Sequence, residues 1–371
     1  MRNVDVAVVG LGLSGSATAW AAVRRGHSVA GFEAQAAGHR RGSSHGRSRI
    51  FRRAYLDPLY VELTGRAGPL WERLAAEAGQ PLLDRVGGVD HGPGREPERM
   101  AALLREHGVS VELLDQAEAA RRWPGIRFSG PVVHDPSGGV IDPEASMAAM
   151  VRLAATGGAE MAYETPVHGL EPADDGVRFQ AGGETWHART LVVAAGGWAG
   201  PLLDGLVPLP PLTVTQQQVF YFDRREPGPW PTIVHGASPE SLEMYALPEG
   251  PLLKVGEHVN GTVTTADDRD FTVDLQARER ALAYVREWLP GLDPALRSET
   301  TCLYTWAPGE DFILDRSGPI VVCSPCSGHG AKFAPLVGEL VTDLVEGDAP
   351  IARFALTPPD SSQTSSSSRT W

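Results

Sequence analysis

The run Val4-Asp5-Val6-Ala7-Val8-Val9, followed at once by Gly10-Leu11-Gly12-Leu13-Ser14-Gly15, leaves this chain few ways to begin folding. A compact run rich in β-branched residues reads as a buried parallel strand over 4–9. The glycines permit a tight turn, close approach of backbone to a pyrophosphate, and close packing of a helix on the strand. Residues 14–25 read as that helix, closed by Gly26, and 27–32 as the next strand, ending on Glu33. A helix N-terminus offers free N–H groups and positive dipole to phosphates. Glu33 lies 18 residues after Gly15, where a carboxylate accepts hydrogen bonds from ribose hydroxyls. An acid at this position disfavours a 2′-phosphate, and so NADP. The pattern predicts an α/β chain with a Rossmann-type dinucleotide-binding unit.

Two features tilt the dinucleotide towards FAD. Arg41-Gly42-Ser43-Ser44-His45-Gly46 is a small-residue loop flanked by arginines, suited to a chain that passes close to a large cofactor. Far downstream, 190–195 reads as another buried strand, closed by Gly196-Gly197-Trp198. A strand-plus-glycine element so late suits a binding domain assembled from separated pieces. The net charge of −13 argues against nucleic acid and anionic membranes, both of which need a basic surface. Three cysteines in 371 residues exclude a disulfide scaffold, so a reducing cytoplasm is expected. Residues 4–23 imitate an apolar leader, but Asp5 and the glycines are better explained by strand, turn and helix. No other stretch is long and apolar enough to span a bilayer.

Of the 33 basic residues only Lys254 and Lys332 are lysines. In a chain this rich in arginine, two lysines either survive by chance or mark sites that need a compact ammonium. Both fall in distal segments that stand out: Leu253-Lys254-Val255-Gly256-Glu257-His258, and Ser327-Gly328-His329-Gly330-Ala331-Lys332-Phe333, which opens a helix through Val345. A third is Cys302-Leu303-Tyr304-Thr305 with Asp311-Phe312-Ile313-Leu314-Asp315.

With GLGLSG and Glu33, GSSHGRSRIFRRAY (42–55) and RWPGI (122–126), these segments make the chain resemble the monomeric sarcosine oxidase family, which includes N-methyltryptophan and pipecolate oxidases. The motifs run in family order over about residues 4–357. The resemblance implies that Cys302 bonds covalently to the flavin and that Lys254 beside it helps activate O2. It implies that Arg52 and Lys332 bind the substrate carboxylate, and that Tyr304 and His258 line the pocket near the amine. Arg49 packs close to the flavin, and Tyr245 is a further pocket tyrosine that no motif anchors. The cofactor-binding set is then Gly10, Gly12, Leu13, Ser14, Gly15 and Glu33; Arg41, Ser43, Ser44 and Arg49; Val167, Ala195, Gly196 and Trp198; and Cys302, Gly328, Gly330 and Lys332. No metal is expected.

The implied reaction oxidises a small secondary amine or amino acid, of the sarcosine, N-methyl or cyclic type. Hydride passes to flavin N5, the imine hydrolyses, and O2 becomes H2O2. A flavin dehydrogenase with another acceptor, an oxidase of a specialised biosynthetic intermediate, a glycine-oxidase-like enzyme without the cysteine bond, and a non-catalytic flavin binder stay open. The expected FAD part takes 1–83, 143–207 and 308–356. The substrate part takes 84–142 and 208–307, with a mixed sheet roofing the flavin and Val219–Phe222 as one of its strands. A monomer is the family's habit, and 357–371 reads as a disordered tail. Glu257 departs from the family's pattern, where an aromatic residue is usual, which leaves pocket polarity and so substrate identity open. Cys323-Ser324-Pro325-Cys326 reads as small residues ending a buried strand, with a redox pair as the sharper alternative.

Overall fold

The computed structural model describes residues 1–225, 228–238, 243–258 and 261–357. An eight-stranded sheet forms one half of the protein. Its centre is parallel: Ile320–Ser324, Glu184–Val193, Arg2–Val9, Val29–Phe32 and Glu160–Ala162 lie side by side. Antiparallel strands flank it at Ile313–Ser317 and at Gly176–Ala181 with His168–Ala173. The first strand is buried from Val6 to Val9, as a strand covered on both faces must be. Helices Leu13–Arg24, Pro143–Thr156 and Ala334–Glu346 pack together on one face. Gly338 permits their approach: a Cβ there would lie 2.4 Å from the carbonyl oxygen of Ala17. This is the expected α/β, Rossmann-type architecture.

Three elements differ in their boundaries from expectation. The second strand starts at Val29 rather than His27, because Ser28 is tied to Asp5 through backbone and side chain. The helix starts at Leu13, with Gly12 as its N-cap, and the late strand is Glu184–Val193, ending before Ala194.

A nine-stranded mixed sheet forms the other half. Its long members are Thr213–Arg224 and Leu292–Trp306, paired over nearly their whole length. Leu252–Glu257, Glu243–Glu249, Thr232–Gly236, Gly88–His91, Val132–Asp135 and Glu112–Leu114 extend it. The strand expected over 219–222 takes in the preceding glutamines. Two of them are satisfied within the protein: Gln216 donates to Asp270 at 2.9 Å and Gln217 to Thr215 at 2.8 Å. Successive residues alternate between two faces. Phe220, Phe222, Ile233, Leu253 and Val255 face an outer apolar layer closed by helix Leu275–Trp288. Tyr221, Val234, Lys254 and Cys302 face inward, towards the first sheet.

The first sheet draws its strands from residues 2–32, 160–193 and 313–324, and the second from 88–135 and 213–306. A three-stranded sheet of Arg49–Phe51, Gly139–Ile141 and Leu83–Asp84 joins the halves. Among the described residues no helix is long and apolar enough to cross a membrane. The tail expected to be disordered lies, from 358 onward, outside the described residues.

Candidate active site

A cavity of about 1160 Å³ runs between the two sheets. One end is built by backbone. Gly10 holds a φ of +92°, and a Cβ there would sit 2.6 Å from the carbonyl oxygen of Ala194. A Cβ on Gly15 would lie 1.8 Å from the carbonyl oxygen of Gly10, so only glycine lets the helix lie this close. Leu13 N–H, in the first turn, donates to Ser44 Oγ at 3.1 Å. Glu33 accepts from Leu11 N–H and Gln35 N–H, both at 3.0 Å. Burial works to raise its pKa, but His39 and these two N–H groups outweigh that and hold it below the usual carboxylate range. Val167, Ala195, Gly196 and Trp198 complete this end. A close-approach glycine cradle, an open helix N-terminus and an ionised carboxylate fit the pyrophosphate and ribose of FAD.

The middle is built by side chains from distant pieces of chain. Cys302 Sγ lies 3.8 Å from Arg49 Nη2 and 3.6 Å from the carbonyl oxygen of Ser43. Burial favours the neutral thiol, yet His45, Arg49 and Lys254 outweigh it and bring Cys302 down to about 6. Arg49 is fixed by donating to the carbonyls of Ser43, His45 and Ser48. Lys254 donates to the carbonyl of Ser48 at 3.0 Å. Burial first, then Arg49, pushes its ammonium down to about 7, against the opposing pull of Cys302 and Glu249. Tyr245 and Tyr304 are hydrogen-bonded to each other, and burial raises both. The Tyr245 ring lies across Gly256 in the next strand, where a Cβ would come within 2.5 Å of it.

The far end holds a cluster of charges. Arg52 contacts Asp90 Oδ1 at 3.4 Å and donates to the carbonyl of Ala54. Arg95, fully buried, bridges Asp90 at 2.8 Å and Glu243 at 2.7 Å. Lys332 donates to Tyr55 Oη and to the carbonyl of His329, each at 2.9 Å. Burial and Arg52 lower its ammonium well below the ordinary lysine value. His258 is pushed down to about 3 by burial and by Arg52, Lys332 and Arg95, so it is neutral. Gly328, with φ +75°, passes where a Cβ would meet His258 at 2.8 Å and Tyr304 at 2.9 Å.

The profile of FAD dependent oxidoreductases matches residues 5–344. The chain belongs to this family. It is 36% identical over 361 residues to the monomeric sarcosine oxidase of Streptomyces avermitilis, covering 92% of this chain and 93% of that protein. It is 30% identical over 370 residues to the N-methyl-L-tryptophan oxidase of Citrobacter koseri, covering 95% and 97%. Among solved structures it resembles NikD, an unusual amino acid oxidase essential for nikkomycin biosynthesis, with a TM-score of 0.85 and 26% identity over 96% of this chain and 98% of that one. It is therefore an FAD-dependent oxidoreductase of the amine and amino acid oxidase group.

The cavity gathers nearly every residue singled out in the sequence. Two of the predicted site residues do not line it: Gly15 acts from beneath, and Arg41 is exposed, its carbonyl accepting from Arg269 at 3.1 Å and its N–H donating to His39 at 3.2 Å, while Arg40 lines the cavity instead. Glu257 stays out of the pocket. It projects to the outer face and pairs with Arg280 at 2.6 Å, so it adds no polarity to the pocket. RWPGI is likewise structural: its Gly125 is wedged against Trp230 and Gly291. Cys323 and Cys326 are free thiols that line the cavity, raised by burial, Cys323 to about 12. His45, Tyr55, Asp90, Arg95 and Glu243 were not singled out. His45 and Tyr55 sit inside a quoted motif, but no motif marks Asp90, Arg95 or Glu243: Asp90 and Arg95 pair five residues apart, and Glu243 joins Arg95 from 148 residues away.

Proposed function

We propose that this protein oxidises a small amino acid carrying a secondary amine and passes the electrons to O2, forming H2O2. The observation that carries the reading is the pair of basic side chains, Arg52 and Lys332, at one end of a cavity whose middle holds Cys302, Arg49 and Lys254. Arg52 and Lys332 would hold the substrate carboxylate through charge-assisted bonds. Tyr245, Tyr304 and neutral His258 would then surround the amine with groups that do not favour its protonated form. FAD, when bound, supplies the two-electron oxidation. Cys302, lowered towards thiolate, would form the covalent link, and Lys254 would stabilise negative charge developing on O2. The sheet membership of the strands supports an FAD part at 1–83, 143–207 and 308–356 and a substrate part at 84–142 and 208–307. A monomer in a reducing cytoplasm completes the reading.

Oxygen uptake and H2O2 release with sarcosine, N-methyltryptophan and proline test it. One H2O2 per amine oxidised is the expected result. Flavin reduction by these amines without H2O2 would assign the chain to the dehydrogenases instead.

A further inference from the structure

Lys332 makes two hydrogen bonds, one to Tyr55 Oη and one to the carbonyl of His329. A tetrahedral amine nitrogen has one further position, and Lys332 lines the cavity beside Arg52. The two bonds serve either charge state: a neutral amine donates both its hydrogens and turns a lone pair to the cavity, an ammonium turns an N–H. Tyr55 is held in turn. Its hydroxyl, 3.0 Å from His329 Nδ1, donates there, because Nε2 lies 3.2 Å from the carbonyl of Glu310, which can only accept. The carbonyl thus fixes the tautomer, and His329 is neutral, lowered by burial and Lys332. The chain from Lys332 through Tyr55 and His329 to Glu310 runs in a single donor direction.

Amino acids arrive as zwitterions, and only a neutral amine has a lone pair to give up on oxidation. We propose that Lys332 is the base that takes the ammonium proton of the bound amino acid, with Tyr55 and His329 as its positioning residues. The balance is simple: R2NH2⁺ and Lys332–NH2 become R2NH and Lys332–NH3⁺. The ammonium so formed faces the substrate carboxylate beside Arg52, so carboxylate capture and amine deprotonation are one coupled event. The groups facing Lys332 suit this. Arg52 disfavours its charge, Asp90 favours it less strongly, and Tyr55, His258 and His329 are all neutral. The inference rests on the amino acid oxidase reading above, and its test does not depend on turnover.

The test is calorimetric binding of 2-furoate, a carboxylate without an amine, to the flavin-loaded enzyme. Runs from about pH 8 to 9.5 stay above the range in which Lys254 titrates. A ligand whose binding takes up one proton loses affinity about tenfold per pH unit. That slope is expected, with about one proton taken up per ligand in buffers of different ionisation heat. Lys332→Gln should bind more weakly with no slope. Tyr55→Phe removes an acceptor that favours the ammonium, and should weaken binding across the window with the slope kept, an effect that should vanish when Tyr55→Phe is added to Lys332→Gln. A flat profile in the unmodified enzyme, a slope that survives Lys332→Gln, or no binding of 2-furoate overturns the assignment. An equal loss of affinity from Tyr55→Phe with and without Lys332→Gln overturns the positioning role. Failure of amine oxidation itself would appear separately, as a flavin that no amine reduces.

Discussion

The two faces of the nine-stranded sheet both bury titratable side chains, and they differ in what surrounds them. On the inner face Lys254 and Cys302 line a cavity and are bracketed by Arg49, His45 and Glu249. On the outer face His91 and His235 stack at 4.1 Å against Phe128, Tyr284 and Trp288, with none of their four ring nitrogens hydrogen-bonded among the described residues. Burial lowers both histidines, His235 to about 4. The lesson is that burial alone shifts a pKa on either face. Opposed charges and an open cavity are what distinguish groups that do chemistry from groups that only load the fold.

The sharpest way to break the comparison is Cys302→Ser. The flavin should then leave the protein entirely on acid precipitation, while the fold and non-covalent binding remain. Retention of flavin in the pellet would move the link to another residue. Next is Lys254→Met, expected to slow reoxidation by O2 roughly 10²–10³-fold with far less effect on anaerobic reduction. In the unmodified enzyme the charged form exists below about 7, so reoxidation should decline as pH rises through that value, and the variant should lose this dependence. Equal slowing of both half-reactions would remove Lys254 from its role.

The outer face predicts stability effects without rate effects. His235 folds as the neutral base, so the unfolded chain binds the extra proton once pH falls below its ordinary value. Stability should drop between about pH 6.5 and 4, by on the order of 3 kcal/mol from this residue. Denaturant melts of His235→Leu should show a flatter fall over that window, with unchanged substrate kinetics below the transition. The smallest effect belongs to Glu257→Gln, about 1 kcal/mol or less, because Arg280 is part-exposed. A change in substrate preference in that variant would place Glu257 back in the pocket.

Legibility in the sequence followed the same division. The nucleotide end was readable because Gly10, Gly12, Gly15 and Glu33 act through local backbone geometry at fixed spacing. Lys254 and Lys332 were marked by their rarity, and Cys302 by its motif. Asp90, Arg95 and Glu243 gave no local signal, since a buried ion network is defined only by partners up to 148 residues apart. Glu257 lies three residues after Lys254 in one strand, so alternation turns it to the opposite face, and its departure from the family's pattern does not reach the pocket. The glutamine run 216–218 hid part of a strand because its polarity masks the alternation; Gln216 is satisfied by Asp270, 54 residues away, and Gln217 by Thr215 in the same strand.

The central claim is amine oxidation at the flavin, and anaerobic bleaching of flavin absorbance tests it most directly. A panel of N-methyl, cyclic and primary amino acids, with a 2-hydroxy acid as control, would be mixed with the enzyme without O2. Rapid bleaching by an N-methyl or cyclic amino acid, and none by the hydroxy acid, is the predicted result. A flavin that stays oxidised with every amine, or that bleaches only with the hydroxy acid, would contradict the account.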